Sequence, residues 1–165
     1  MRMIHLIIMI SSLLLVYGCQ QEQGKIELGT APLFTLYDSD SVLYSLKDYH
    51  GKLVMIHFWA DWCPHCRAEF PKLQRAYEKL KPKGIEILAI NSGQTREHVK
   101  EIKITYALTY PLLVDVEAKT AEKYKVSGLP TSYFLDKNGT IQEKFIGWME
   151  EEQIISIIEK LREDG

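Results

Sequence analysis

The stretch Leu53-Val54-Met55-Ile56-His57-Phe58-Trp59-Ala60-Asp61-Trp62-Cys63-Pro64-His65-Cys66 decides the fold, because it joins two kinds of secondary structure. Its first seven residues are nearly all apolar, as in a strand that is buried on both faces of a parallel sheet. Between residues 64 and 80, apolar side chains recur every three or four positions, at Phe70, Leu73, Tyr77 and Leu80. That spacing places them on one face of a helix. The sequence therefore predicts a strand that leads directly into a helix, with two cysteines at the junction.

Strands and helices alternate along the rest of the chain. Short β-type runs at 33–37 and 42–44 flank a polar turn and predict a hairpin, and residues 85–90 form a second buried strand. Helices are expected at 95–106, 118–124 and 150–161. Strands at 131–135 and 140–146 flank Asn138-Gly139, a strong hairpin signal. Pro71 is expected to interrupt and kink the first helix. The pattern predicts a mixed-sheet α/β domain.

Length, composition and charge exclude several classes of protein. The chain has 165 residues, 46% of them hydrophobic and 25% charged, which suits one globular domain and excludes disorder, collagen and coiled coil. Its net charge of −2 gives no electrostatic basis for binding nucleic acid. Three cysteines are too few for a disulfide-stapled scaffold.

The N-terminus carries a targeting signal. Arg2 is followed by an apolar run of about 14 residues, Met3 to Val16, too short for a bilayer core that needs about 20. The following Gly18-Cys19 resembles the lipobox of bacterial lipoproteins. We expect residues 1–18 to be a signal peptide and Cys19 to carry lipid, residues 19–29 to be a flexible tether, and 30–165 to be the folded domain, outside the cytoplasm. The alternative is an uncleaved signal anchor in which Cys19 is an ordinary thiol.

The motif Cys63-Pro64-His65-Cys66 contains the two residues that we expect to react. A C-x-x-C between a strand and a helix is typical of a thioredoxin-like redox motif. Pro64 suits the first helical turn because it has no N–H to leave unpaired. Cys63 then lies at the helix N-terminus, which lowers its thiol pKa and makes it the attacking thiolate, and a protonated His65 would add to this effect. Cys66, one turn further on, can resolve a mixed disulfide.

Other uses of this pair fit the sequence less well. A structural zinc site needs two more ligands of similar spacing, and there is neither a second C-x-x-C nor an H-x-x-x-H. A c-type haem site needs C-x-x-C-H, and residue 67 is Arg67. A purely structural disulfide across two intervening residues would constrain the unfolded chain little. We expect no metal and no organic cofactor.

Several separated blocks carry a family resemblance. They are Ala31 to Leu36, Gly51 to Val54, Phe58 to Cys63, Glu69 to Pro71 and Gly128 to Thr131. In this order they resemble the membrane-tethered thiol-disulfide oxidoreductases of the ResA/TlpA type, over residues 31 to about 163.

This resemblance implies a thioredoxin fold, with a mixed central sheet, flanking helices and an added N-terminal β-hairpin. It implies that Pro130 is cis and lies beside the two cysteines, presenting backbone to the substrate. Leu129 and Trp62 are then expected to support or bind the substrate, since they flank Pro130 and Cys63 in the sequence.

Three positions depart from the family pattern. His65 stands where these proteins usually have proline, and Cys-Pro-His-Cys resembles the pair of the periplasmic oxidant DsbA. His57 occupies the place of a buried acid in thioredoxin, so it is either a core histidine bonded to backbone or a proton relay. Gln94 lies where a glutamate is expected after the second buried strand, and it cannot accept a proton at neutral pH. We interpret Glu69 as a solvated charge on the helix.

The favoured function is disulfide exchange with protein thiols and disulfides, through a mixed disulfide, by a lipid-anchored monomer in the cell envelope. The family resemblance implies reduction of cytochrome c precursors with a membrane electron-transfer partner. The Cys-Pro-His-Cys pair favours instead an oxidising disulfide donor or isomerase, and the sequence leaves this direction open.

Two other classes remain as alternatives. A peroxiredoxin would share the fold, but its usual threonine three residues before the reactive cysteine is replaced by Ala60. A metallochaperone would use Cys63, His65 and Cys66 as ligands. Three ligands at the start of one helix cannot easily complete a tetrahedron.

Overall fold

The computed structural model describes residues 29–164. The predicted signal peptide, Cys19 and most of the tether lie outside the described residues. Within the described part of the chain, no helix is long and apolar enough to cross a bilayer.

Seven strands and four helices make up the fold of residues 29–164. The strands are β1 (Thr35–Tyr37), β2 (Leu43–Ser45), β3 (Val54–Trp59), β4 (Glu86–Ser92), β5 (Leu112–Asp115), β6 (Thr131–Leu135) and β7 (Ile141–Ile146). The helices are α1 (Pro64–Leu80), α2 (Arg96–Thr105), α3 (Lys119–Lys123) and α4 (Glu151–Asp164). Short 3₁₀ turns lie at Leu46–Tyr49 and Lys81–Lys83.

Five strands form a mixed central sheet in the order β5-β4-β3-β6-β7. The strand β3 is parallel to β4 and antiparallel to β6, while β4 and β5 are parallel and β6 and β7 are antiparallel. β1 and β2 form a separate antiparallel hairpin. Both predicted hairpins and the mixed sheet are therefore confirmed.

The edge strand β5 was not expected from the sequence. It has only four residues, all of them buried, so it shows no alternation that would identify a strand. Its strand structure comes from parallel pairing with β4, in which Leu112 lies opposite Ala89. Pro71 lies inside α1 and does not end it, since the helix runs from Pro64 to Leu80.

Side chains of β3 alternate between two apolar layers. Met55 and Trp59 pack in the layer that contains α1, α2 and α4, whereas Ile56 and Phe58 pack with the hairpin and α3. Alternation places His57 on the same face as Met55 and Trp59, under α1. The central strand β3 thus carries the chain to the start of α1, at the edge of the sheet where β4 also ends.

Candidate active site

The two cysteines lie at the N-terminus of α1. Cys63 is the N-cap residue, and its Sγ accepts a hydrogen bond of 3.2 Å from the Cys66 backbone N–H. Pro64 occupies the first helical turn, as the sequence predicts. Cys63 and Cys66 form a disulfide with a Cα–Cα distance of 5.3 Å. Because the Cys66 N–H donates to Cys63 Sγ at the helix N-terminus, this position favours a thiolate when the disulfide is reduced.

The backbone segment that leads into β6 faces the disulfide. The Leu129–Pro130 bond is cis, and the Leu129 carbonyl oxygen lies 3.5 Å from Cys63 Sγ. The carbonyl of Pro130 accepts a hydrogen bond of 2.9 Å from the Gly147 N–H, and the hydroxyl of Thr131 donates to the Gly128 carbonyl at 2.7 Å. The geometry that the resemblance implied for Pro130 is present.

Trp62 and His65 lie at the surface beside the disulfide. The Trp62 side chain is 67% exposed, while Cys63 is only 4% exposed and Cys66 is fully buried. His65 is exposed in the first turn of α1. Because both side chains are exposed next to Cys63 in the chain, an incoming polypeptide would meet the Trp62 indole and the His65 imidazole at the edge of the site.

Glu69 is fully buried, so its interpretation as a solvated helix charge is wrong. It follows Cys66 by three positions and therefore lies on the same side of α1. Its Oε1 accepts a hydrogen bond of 2.9 Å from the backbone N–H of Met149, in the segment that leads into α4. This contact joins residues 80 positions apart in the chain, and a helix periodicity alone does not show it.

His57 lies beneath Glu69 in the same buried layer. It is a core histidine, as one of the two interpretations predicts, but its Nδ1 lies 3.0 Å from the side-chain hydroxyl of Ser132 and not from a backbone group. Its Nε2 lies 3.8 Å from Glu69 Oε2, too far for a direct hydrogen bond, and both side chains are 0% exposed. Ser132 lies opposite His57 in the antiparallel pairing of β6 with β3, which explains how the two side chains meet.

Burial disfavours the charged form of both of these groups. It raises the pKa of the Glu69 carboxyl to about 7, and the hydrogen bond from Met149 opposes this only in part. It lowers the pKa of the His57 imidazole to about 3. A carboxyl whose pKa lies near the working pH can both accept and return a proton, whereas His57 stays neutral and acts on Glu69 as a polar neighbour.

Gln94 has a structural role. Its Oε1 accepts hydrogen bonds of 2.8 Å from the Asp61 backbone N–H and from the Asn91 side-chain amide. The Asp61 carboxylate lies 3.0 Å from His98 Nε2 and 3.6 Å from Arg67 Nη1. These contacts join the segment before Cys63 to the end of β4 and the start of α2, and so hold the disulfide over the sheet edge.

Glu69 is the functional candidate that sequence reasoning missed, although a signal for it exists. Cys66, Glu69, Phe70 and Leu73 follow one another at spacings of three, one and three, so the carboxylate falls on the apolar face of α1. A charged residue on the apolar face of a helix either reaches water at the edge of that face or is buried. Glu69 is buried, because the backbone of Met149 lies against it.

Among residues 29–164, no group of three or more His, Cys, Asp and Glu side chains is arranged to hold a metal ion. The reactive groups that the structure brings together are the Cys63–Cys66 disulfide, the Leu129 carbonyl and, behind Cys66, the Glu69 carboxyl. A disulfide at a helix N-terminus, facing a cis-proline on a five-stranded mixed sheet, defines a thioredoxin-fold protein that exchanges disulfides.

Comparisons with known proteins agree with this class. The AhpC/TSA family model matches residues 29–144. The chain is 36% identical over 148 residues to the thiol-disulfide oxidoreductase ResA of Bacillus cereus (strain ZK / E33L), covering 89% of this chain and 86% of that protein. Against ResA of Bacillus subtilis (strain 168) the identity is 33% over 124 residues, which cover 75% of this chain and 69% of that one.

Solved structures give the same fold. The crystal structure of StoA from Bacillus subtilis superposes with a TM-score of 0.68 at 25% identity, covering 78% of this chain and 97% of that one. A protein described as the thiol:disulfide interchange protein DsbE of Chlorobium tepidum gives a TM-score of 0.74 at 27% identity, covering 84% and 96%. The chain belongs to the AhpC/TSA family, and it is a thiol-disulfide oxidoreductase with a thioredoxin fold.

Proposed function

We propose that this protein is a lipid-anchored, extracytoplasmic oxidoreductase that reduces disulfides in polypeptides, with cytochrome c precursors as the substrates that the ResA/TlpA resemblance implies. The observation that carries the proposal is the disulfide at the start of α1, whose Cys63 Sγ lies 3.5 Å from the Leu129 carbonyl. A polypeptide that approaches this sulfur meets an open backbone edge, and no bound cofactor is needed for the exchange.

The exchange takes two steps. In the reduced protein, the Cys63 thiolate attacks one sulfur of a substrate disulfide, forms a mixed disulfide and releases the other substrate sulfur as a thiolate. The Cys66 thiol then loses its proton and attacks Cys63 Sγ, which reforms the Cys63–Cys66 disulfide and releases the second substrate thiolate. Two electrons pass to the substrate, and a membrane electron-transfer partner restores the dithiol.

The second step needs a base near Cys66, and Glu69 is placed to act as one. It lies one turn further along α1, is fully buried and has a carboxyl pKa of about 7. In its ionised form it accepts the proton of the Cys66 thiol, which frees the sulfur to attack. His57 contacts the same carboxyl from below at 3.8 Å and is a positioning residue for it.

The anchor and the location rest on the sequence. A short apolar run that ends in Gly18-Cys19 supports cleavage before Cys19 and attachment of lipid there. The tether to residue 29 would then hold a monomeric domain at the outer surface of the membrane. Expression of Cys19→Ser in a bacterial host should release or stall the protein. Unchanged processing and membrane association would contradict the lipid anchor.

The direction of electron flow is tested by the reduction potential. If the protein is a reductant, its potential should lie near that of thioredoxin, about −270 mV, and should be the same in His65→Pro. The protein would be equilibrated with glutathione, alone and as His65→Pro, with thiolate absorbance titrated in parallel. A potential near about −200 mV that depends on His65 would lie between thioredoxin and DsbA, at about −120 mV, and would favour the oxidising donor or isomerase and contradict the reductive proposal.

The peroxiredoxin alternative makes a separate prediction. Ala60, which is buried three residues before Cys63, offers no hydroxyl to a peroxide. The reduced protein should therefore consume hydrogen peroxide no faster than free thiols of similar acidity do. Rapid peroxide consumption that depends on Cys63 would favour the peroxidase over disulfide exchange.

A further inference from the structure

A cavity lined by lysines lies where the described part of the chain begins. It has a volume of about 420 Å³, and Gly29, the first described residue, forms part of its wall. Lys123, Lys125 and Lys144, the cavity lysines, line it, and no Asp or Glu side chain of the described residues does. Three ammonium groups therefore lie around the place where the chain leaves the domain toward its N-terminus.

The cavity lysines are not paired with carboxylates in the part of the chain that the structure describes. Salt bridges hold six lysines elsewhere, namely Lys72, Lys79, Lys83, Lys100, Lys103 and Lys119. Lys144 Nζ instead lies 5.1 Å from the centroid of the Tyr133 ring and 3.5 Å from the Lys125 carbonyl oxygen. An aromatic face and a carbonyl attract the ammonium group without cancelling its charge, so the cavity keeps positive charge for a ligand.

The acidic residues next to the cavity lysines in the chain compensate little of their charge. Glu143 precedes Lys144 but pairs across the sheet with Phe134, which packs in the layer of α1. Cross-strand partners share a face, so the Glu143 carboxylate points to the opposite side of the sheet. Glu122 precedes Lys123 in α3 and is exposed. One exposed carboxylate beside three lysines leaves this surface positive, and it attracts anions.

An exposed leucine adjoins the cavity lysines. Leu33 is 51% exposed and lines the neighbouring cavity together with Lys47 and Lys123. Lysines around an apolar side chain match the interface of an anionic bilayer, whose phosphates lie just outside its acyl chains. A free anion would contact the lysines alone. The combination therefore favours a membrane surface over a soluble anion.

The position of Gly29 brings this surface close to the proposed lipid anchor. Gly29 follows Cys19 by ten positions, and a fully extended chain of that length spans at most about 35 Å. The Gly29 carbonyl accepts a hydrogen bond from the N–H of Ile141, the first residue of β7. Gly147, just beyond the other end of β7, bonds instead to Pro130 beside the disulfide. An anchor at Cys19 would hold the lysine cavity near the bilayer and the disulfide at the far end of β7.

We propose that the cavity lysines, with Leu33 and Lys47 beside them, dock the domain on the anionic surface of the membrane that holds its anchor. Phosphates of lipid headgroups occupy the lysine cavity, and the Leu33 side chain reaches the boundary of the acyl chains. The inference goes beyond disulfide exchange, but it rests on the lipid anchor of the proposed function, which keeps the domain at the bilayer. In this orientation the disulfide faces the solution and is open to polypeptides.

The test measures binding to vesicles without the anchor. The mature chain, residues 19–165 with Cys19→Ser, keeps both apolar layers of the fold. It would be sedimented with vesicles of phosphatidylcholine alone and with vesicles in which phosphatidylglycerol is one lipid in three. Each lysine near an anionic surface strengthens binding about fivefold, so the three together should give about 100-fold tighter binding to the anionic vesicles. Salt at about 0.5 M should remove this preference, because it screens the charges.

Replacing all three cavity lysines with glutamine should reduce binding to the anionic vesicles to the level of the neutral ones. The matched control is Lys79→Gln/Lys83→Gln/Lys160→Gln, which removes the same charge from exposed lysines in or next to α1 and α4. It should keep the preference within about threefold. The disulfide should react with dithiothreitol at one rate in all these proteins, since none of the changes touches it. An equal loss of vesicle binding in both triple variants would mean that net charge alone drives binding, and would overturn the docking surface.

Three further outcomes separate the docking surface from a free-anion site and from the anchor. If inorganic phosphate shifts the NMR signals of the cavity lysines but the chain ignores anionic vesicles, the cavity binds a free anion and membrane docking is overturned. If the full-length protein purified from bacterial membranes carries lipid at Cys19 but the Cys19→Ser chain binds both kinds of vesicle equally, the anchor stands and the docking surface is overturned. If no lipid is found at Cys19 while the Cys19→Ser chain prefers anionic vesicles, the anchor is contradicted and the docking surface is supported.

Discussion

Glu69 belongs to α1 and Glu151 begins α4, where it contacts α1, and water reaches little of either side chain. Their side chains are 0% and 8% exposed. Burial raises the pKa of Glu69 to about 7, whereas hydrogen bonds from Lys79 and then Arg75 lower the pKa of Glu151 below its usual value. The same functional group therefore keeps part of its protons at neutral pH in one place and has lost them in the other.

The difference lies in what covers each carboxylate. Glu151 is covered by two cations, Arg75 Nε and Lys79 Nζ, each 2.6 Å away, whose own side chains are 53% and 63% exposed. Glu69 has a backbone N–H and the uncharged His57 as its near polar neighbours, and the charge of Lys72 acts on it without a hydrogen bond. Loss of contact with water raises the pKa of a carboxyl only where no cation replaces the water. The comparison identifies Glu69 as the carboxyl that is suited to proton transfer.

The largest expected effect concerns catalysis by Glu69. Glu69→Gln keeps the size and the acceptor for Met149 but removes the base, so resolution of the mixed disulfide should slow by about 100-fold at pH 8. In the unaltered protein the single-turnover rate should rise with pH through a step near 7, and this step should be missing in the variant. Glu151→Gln is the matched control and should retain both the rate and the step. An unchanged pH profile in Glu69→Gln would remove Glu69 from the mechanism.

A second prediction uses stability to separate the two members of the buried pair. Glu69 has a raised pKa in the folded state, so its contribution to stability falls between about pH 4.5 and 7, by on the order of 3 kcal/mol. His57 has a lowered pKa, so its contribution rises between about pH 3 and 6.5. In the pH range that the two intervals share, the two contributions to the free energy of unfolding change in opposite directions.

In each single variant, the free energy of unfolding should therefore change with pH as the remaining partner alone dictates. In Glu69→Gln the free energy of unfolding should rise with pH up to about 6.5, and in His57→Asn it should fall between about pH 4.5 and 7. Urea unfolding at several pH values measures both. Parallel curves for the two variants would show that the pair is not neutral in the folded protein.

The smallest effect is expected at Glu151. Because its partners are exposed cations, Glu151→Gln should lower the free energy of unfolding by less than about 1 kcal/mol at pH 7, and added salt should reduce even this. Its contribution is present above the unfolded pKa and is lost as pH falls through the lowered folded pKa. An NMR titration should return the Glu151 pKa toward its usual value in the double variant Arg75→Met/Lys79→Met. A loss of several kcal/mol in Glu151→Gln would mean that the ion pairs act as buried ones.

The sequence alone predicted those parts of the fold and of the site that depend on residues close together in the chain. The C-x-x-C at a strand–helix junction, the proline in the first turn of the helix and the Asn138-Gly139 hairpin each depend on neighbouring residues, and each lies where it was predicted. The family resemblance predicted the cis bond at Pro130. The local sequence does not, because most X-Pro bonds are trans.

Long-range packing decided the rest of the candidate site. Whether Glu69 is solvated depends on Met149, 80 residues away, and the hydrogen-bond partner of His57 is Ser132 on another strand. β5 exists because β4 pairs with it, and the cis-proline segment is fixed by the hydrogen bond from the Gly147 N–H to the Pro130 carbonyl. Periodicity shows which face of a helix or strand is apolar, but it does not show which distant segment covers that face. The charge of a buried group follows from those covering atoms.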